Sequence, residues 1–214
     1  MIKNSKYRLY GRSKGRGKSN KISESAKKII IKKSEQKKYD IIDIGVGYGE
    51  STILIAKNNK KKEVLACEKY IDGINKIAER KIKSNLKNIK IFHGNVHQFL
   101  DEYCLYDSIS EIWILFPDPW PKKRHYKRRL IDTNFLLKIK SYLKDQAIIH
   151  IASDSKSYIS SILLSVFDVR NDYKWSNQEK EEWDYANLSL PKTKYCEKAQ
   201  EKGLNPFYLK LIKL

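Results

Sequence analysis

The sequence of 214 residues predicts an α/β fold with a mainly parallel sheet, on three observations. Short apolar runs alternate with longer stretches of helical character, the joints between them are only a few residues long, and nearly every apolar run ends in glycine or a polar residue. KYDIIDIG (38–45) is the first such run, a strand closed by glycine, and GESTILIAKNN (49–59) continues it as a helix. EVLACEKY (63–70) is a second strand, IDGINKIAERKIKSNL (71–86) a helix, NIKIFHGN (88–95) a third strand and VHQFLDEYC (96–104) a short helix. EIWILFPD (111–118) is the fourth strand, LIDTNFLLKIKSYL (130–143) a helix, QAIIHIASD (146–154) the fifth strand and SKSYISSILLSVF (155–167) a further helix. The remainder is less regular until NPFYLKLIKL (205–214), which reads as a terminal strand.

This length suits one sizeable core, so residues 21–214 are expected to form a single domain. Residues 1–38 hold 14 Lys/Arg against Glu24 and Glu35, and YRLYGRSKGRGKSNK has three glycines and no apolar period. Residues 1–20 are therefore expected to be a basic flexible arm, either reaching a partner or solvated. Lys+Arg 44 against Asp+Glu 25 gives a net +19, which favours a polyanion such as nucleic acid. A drift toward Lys, Ile and Asn explains part of that charge. No apolar run approaches 18 residues, so neither a membrane span nor a secretory segment is expected, and the protein is expected to be cytoplasmic. Cys67, Cys104 and Cys196 are odd in number and widely spaced, as reduced thiols would be. Of the four histidines only His93 and His97 stand at H-x-x-x-H spacing, and these straddle a strand-to-helix turn and need not share a face, so no metal is expected.

In such a sheet, ligands bind beyond the carboxyl ends of the strands. That rule selects Asp43 to Gly49, Glu68, Asn95, Asp118 and Asp154. DIGVGYGES sets Gly45, Gly47 and Gly49 between the first strand and its helix, where the backbone must turn tightly or approach a ligand. The spacing is G-x-G-x-G, not the dinucleotide G-x-G-x-x-G. Asp43 before it would repel a pyrophosphate but suits an ammonium and a sulfonium, which favours S-adenosylmethionine over NAD. Glu68, 23 residues after Gly45, sits where a carboxylate accepts from two ribose hydroxyls. Asn95 either meets the adenine or forms a turn.

FPDPWPKKRHYKRR (116–129) is the most unusual stretch. Pro117 and Pro119 are expected to bias Phe116 and Asp118 toward extended backbone and so hold the Asp118 carboxylate at the mouth of the fourth strand. PKKRHYKRR then packs six Lys/Arg into nine residues, suited to tracking phosphates, with Trp120 and Tyr126 as stacking surfaces. Arg124, His125, Tyr126, Lys127, Arg128 and Arg129 are the candidate RNA-binding residues. The plainer alternative is a Pro-stiffened loop running into a solvated basic helix.

This stretch resembles the signature of the tRNA (guanine-N7-)-methyltransferase family, F-P-D-P-W-x-K-x-R-H-x-K-R-R. YRLYGRSKGRGKS is similar to that family's basic N-terminal motif, DIGVGYGES to its cofactor loop and IASD to its fifth-strand segment. The resemblance implies a Rossmann-like class I methyltransferase fold, a doubly wound sheet with an antiparallel C-terminal strand. It implies transfer of a methyl group from S-adenosylmethionine to guanine N7 in tRNA, in the variable loop. By it Asp43, Glu68, Asn95 and Asp118 match cofactor-binding positions, Asp118 also the catalytic one, and Lys122 and Asp154 substrate-contacting ones. The family's T-x-Y/F-E appears here as Thr193, Lys194, Tyr195 and Cys196, with cysteine where glutamate is expected and Glu197 one residue on. That departure supports an alternative, a catalytically silent RNA-binding module on the same fold.

Overall fold

Residues 21–32, 38–185 and 193–214 are described by a computed structural model, and among them seven strands and seven α-helices form. The basic arm expected over residues 1–20 lies outside the described residues. The backbone divides into two units, one ending at Leu105 and the other beginning at Tyr106.

The first unit runs α1 (Glu24–Lys27), β1 (Ile41–Ile44), α2 (Glu50–Asn58), β2 (Val64–Glu68), α3 (Ile71–Lys83), β3 (Ile89–His93) and α4 (Val96–Glu102). Its strands lie in the order β3-β2-β1, all parallel, with Ile41 opposite Val64 and Val64 opposite Ile89. Parallel strands covered on both faces need continuous apolar runs rather than alternation. Every residue of β1 and β2 is buried accordingly. Ile74, Ile77 and Ala78 of α3 recur at helical spacing and are buried. Each fully buried isoleucine contributes about 1.5–3 kcal/mol. Asn88 closes the far end of the unit by donating to the carbonyls of Ala56, Asn59 and Lys62.

The second unit contains β4 (Ile109–Leu115), α5 (Thr133–Lys140), β5 (Leu143–Ser153), α6 (Lys156–Asp168), β6 (Tyr173–Trp175), α7 (Lys194–Glu201) and β7 (Phe207–Lys213), with 3-10 turns at Lys123–Arg128 and Lys180–Trp183. The order is β4-β5-β7-β6. β4 and β5 are parallel, and β7 is antiparallel to both β5 and β6, as expected for the terminal strand. Two elements depart from the sequence reading. The three residues of β6 are too few to show a period, and α7 is mostly polar, burying only Cys196 and Ala199. The helix expected from Leu130 starts instead at Thr133, because the Asp132 carboxylate accepts from the Phe135 amide and caps it there.

Candidate functional site

The candidate residues fall into two groups, one at the carboxyl ends of the strands in each unit. In the first unit, β1 delivers Asp43 to a turn of three glycines, all with positive φ: Gly45 at 71°, Gly47 at 55° and Gly49 at 78°. At Gly45 a Cβ would meet nothing within 4 Å, so this backbone borders open space. At Gly49 it would lie 2.6 Å from Ile77, so that glycine serves helix packing.

Glu68 ties the turn to β2. Its Oε2 accepts from the Gly47 amide at 2.8 Å, and its Oε1 accepts from the Lys69 and Tyr70 amides at 2.7 and 2.9 Å. Burial raises its pKa against the pull of these three amides. Asp43 is 1% exposed, and its Oδ2 accepts from the hydroxyls of Ser51 and Thr52 at 2.8 and 2.7 Å. Burial pushes it up to about 6; the two hydroxyls pull it down and the Glu68 charge adds to the rise. Asn95 caps α4, its side-chain oxygen accepting from the His97 amide at 2.9 Å. The Gly94 amide, next in line, donates to the Glu68 carbonyl at 3.1 Å. Asp43, Gly45, Gly47, Glu68 and Asn95 are thus gathered at one end of three adjacent parallel strands. Ser51 and Thr52, which organise Asp43, carry a fainter sequence signal: hydroxyls in the first turn of the helix that follows a strand bearing a buried Asp.

These residues suit a cationic nucleoside ligand. Two buried carboxylates with raised pKa values gain most from a nearby positive charge, and the glycine turn borders space that a side chain would otherwise fill. The raised pKa has a consequence for stability. A folded value above the ordinary aspartate value means that the stability due to Asp43 is fully present below about pH 4 and is lost as pH rises through about 6. The thermal midpoint of the ligand-free protein relative to Asp43→Asn is therefore expected to fall between pH 4 and pH 7, as scanning calorimetry of both proteins at each pH would show.

In the second unit β4 and β5 end side by side, Leu115 opposite Ala152, and the Phe116 amide donates to the Ala152 carbonyl at 2.8 Å. Asp118 and Asp154 follow these strand ends. Asp118 is exposed and Asp154 half-buried, and neither makes a hydrogen bond or ion pair to a described residue. Phe116 is not extended as expected. Its φ is +54°, and Trp120 has φ +44°, so Asp118 lies between two large residues in left-handed backbone, a conformation costing about 1–3 kcal/mol each. Ring packing holds them there against the proline bias. The Phe116 ring meets Tyr185 edge-on at 5.3 Å and lies nearly parallel to Tyr195 at 6.4 Å. Trp120 has the Arg128 guanidinium over its ring at 4.9 Å.

The N-terminus of α7 belongs to this end of the second unit too. Thr193 caps it, its hydroxyl accepting from the Cys196 amide at 3.1 Å, while Lys194 is exposed and Tyr195 is 56% exposed. Cys196, at the last position of the T-x-Y/F-E pattern whose residues the resemblance places against substrate, is 2% exposed and packed in an apolar cluster with Leu115, Ala152, Tyr185 and Tyr208. Glu197, the next residue, is exposed.

Within the basic run, Lys122, Lys123, Arg124, Tyr126 and Lys127 are exposed, and His125 and Arg128 are half-buried. In the 3-10 turn, residues three apart share a face, which sets Arg124 beside Lys127. Arg129 departs from the expected RNA-facing row. It is 7% exposed, and its guanidinium is bonded inward to Pro119, Ser157 and Ser161. Among the described residues no cluster of three metal-ligating side chains occurs, and no helix is long and apolar enough to cross a membrane.

A family model described as "Putative methyltransferase" matches residues 37–209. Similar curated proteins include the tRNA (guanine-N(7)-)-methyltransferases of Buchnera aphidicola subsp. Schizaphis graminum, 39% identical over 61% of this chain and 55% of that protein, and of Ruegeria sp. (strain TM1040), 29% identical over 78% and 65%. A third, from Buchnera aphidicola subsp. Acyrthosiphon pisum (strain 5A), is 35% identical over 77% and 66%. The matched part of this chain therefore spans between about half and two thirds of those relatives' length. Among solved structures, an rRNA methylase from Streptococcus thermophilus aligns with a TM-score of 0.53 at 16% identity, covering 85% of this chain and 91% of its own. The 16S rRNA methyltransferase KamB aligns with a TM-score of 0.59 at 13% identity, covering 92% and 96%. The fold is that of these methyltransferases.

Proposed function

The chain belongs to that methyltransferase family, and we propose that it transfers a methyl group from S-adenosylmethionine to N7 of a guanine in cytoplasmic tRNA, in the variable loop. The observation that carries this reading is Asp118: an exposed carboxylate with no hydrogen bond or ion pair to a described residue, held between two strained residues and followed at once by a ridge of cations. The relatives' name supports the substrate.

Bound S-adenosylmethionine supplies an electrophilic methyl group on a sulfonium. The glycine turn at Gly45 and Gly47 lets backbone approach it without a Cβ in the way. Glu68 Oε2 accepts from one amide, which leaves it a lone pair for a ribose hydroxyl. Asp43 would offer a bound cation its charge, and Asn95, after β3, would meet the adenine. Guanine N7 has an in-plane lone pair, so no proton need leave before attack and no general base is required. Catalysis then rests on alignment and electrostatics. Asp118 stabilises the positive charge that grows on guanine, and Asp118 with Asp154 accepts from its N1–H and exocyclic amine, selecting guanine over adenine. Lys122, Thr193, Lys194 and Tyr195 border the same base.

Arg124, Lys127 and Arg128, with His125 and Tyr126, are the phosphate and stacking ridge. Replacing Arg124 and Lys127 by glutamate is expected to weaken tRNA binding and to lower the slope of log affinity against log salt by about 2, checked by titration at several salt concentrations. An unchanged slope would mean that the ridge does not touch phosphate.

A second reading, an RNA-binding module without turnover, draws on Cys196, which removes the glutamate expected at that position and is itself buried. Incubation with labelled S-adenosylmethionine and unmodified tRNA separates the two. Label in the RNA supports the transferase; none, with cofactor and tRNA both bound, supports the silent module.

A further inference from the structure

We infer that Arg129 is a positioning residue that fixes the spacing of Asp118 and Asp154, rather than a phosphate contact; the inference rests on the proposed role of those carboxylates. Arg129 closes the run of cations, yet its guanidinium is buried and spends four hydrogen bonds inside the second unit. Nε donates to the Pro119 carbonyl at 2.9 Å, on the residue directly after Asp118. Nη1 donates to the Ser157 carbonyl at 3.1 Å and the Ser161 hydroxyl at 2.9 Å, and Nη2 to the Ser157 hydroxyl at 3.0 Å. Ser157 and Ser161 stand in the first two turns of α6, the helix that follows Asp154.

The fork of donors therefore bridges the loop bearing one carboxylate to the helix behind the other. Aromatic faces hold it flat: the guanidinium carbon lies 3.7 Å from the Tyr126 ring centroid and 4.9 Å from that of Tyr158. Tyr158 is fixed in turn, its hydroxyl accepting from the Ile131 amide at 2.9 Å. A planar guanidinium can serve Pro119 and α6 at once; a lysine ammonium on a single stem cannot reproduce that fork.

Arg129→Lys in the full chain tests this. The turnover number is expected to fall about thirty-fold, short of the roughly hundred-fold that a 1 Å misplacement can cost. The KM values for tRNA and S-adenosylmethionine should stay within about two-fold, and the salt slope of tRNA affinity should not change, because no phosphate contact is lost. In the same variant, hydrogen exchange at the amides of His125, Arg129 and Ile131, which donate to the Lys122 and Tyr126 carbonyls and the Tyr158 hydroxyl, should quicken while strand amides keep their protection. A lowered salt slope with turnover intact would make Arg129 a phosphate contact and overturn the inference. So would unchanged exchange and turnover in a folded variant. If Arg129→Lys does not fold, Ser157→Ala with Ser161→Ala removes two of the four acceptors and should give the same pattern, smaller; its absence there overturns the inference equally. Exchange is read without RNA, so a wild-type protein that methylates no tRNA would sink the proposed function while leaving this clamp to be judged by exchange alone.

Discussion

Asp118→Asn is expected to fold as the wild type does and to lose about 10²- to 10³-fold of its turnover, the range seen when one preorganised electrostatic contact to a developing charge is removed. Asparagine keeps the shape of the side chain and deletes only the negative charge. Since Asp118 makes no hydrogen bond or ion pair to a described residue, no described residue loses a partner in the change. The strained backbone on either side is held by the rings of Phe116 and Trp120, which the substitution does not touch. Single-turnover methyl transfer at saturating cofactor and tRNA, with the thermal midpoint measured alongside, checks this. Unchanged turnover would remove Asp118 from the mechanism.

The second large effect is expected at Glu68. Glu68→Ala should weaken S-adenosylmethionine binding about a hundred-fold, measured by calorimetry. Three amides lose their acceptor at once, those of Gly47, Lys69 and Tyr70, and one of them belongs to the glycine turn. An unsatisfied buried donor costs about 1–3 kcal/mol, and the turn is expected to relax to recover water, losing the shape that faces the ligand. Glu68→Gln keeps an accepting oxygen on one side only and should fall between the two. Equal affinity in all three proteins would mean that Glu68 serves the fold alone.

Much of this was legible in the sequence because it depends on local pattern. The β1 to β5 runs stand out as buried strands, and the rule that ligands sit beyond strand ends selects Asp43, Glu68, Asn95, Asp118 and Asp154 from the sequence. The resemblance to tRNA (guanine-N7-)-methyltransferases is borne out by relatives that carry that name. What could not be read depends on partners distant in the chain. Arg129 is one cation among six in its run, and only Ser157 and Ser161, some 30 residues on, turn it inward. Phe116 precedes a proline, which favours extended backbone; Tyr185 and Tyr195, far along the chain, pack its ring in another conformation. Cys196 stands at a position where the family pattern has a charged residue, and its burial follows from Leu115, Ala152 and Tyr208 closing around it.

The central claim is that guanine N7 in tRNA is the acceptor. The most direct measurement is digestion of tRNA after reaction with labelled S-adenosylmethionine, followed by identification of the labelled nucleoside. N7-methylguanosine is the predicted product, formed by the wild type and nearly absent with Asp118→Asn. Label on any other nucleoside, or none despite bound cofactor and tRNA, would contradict it.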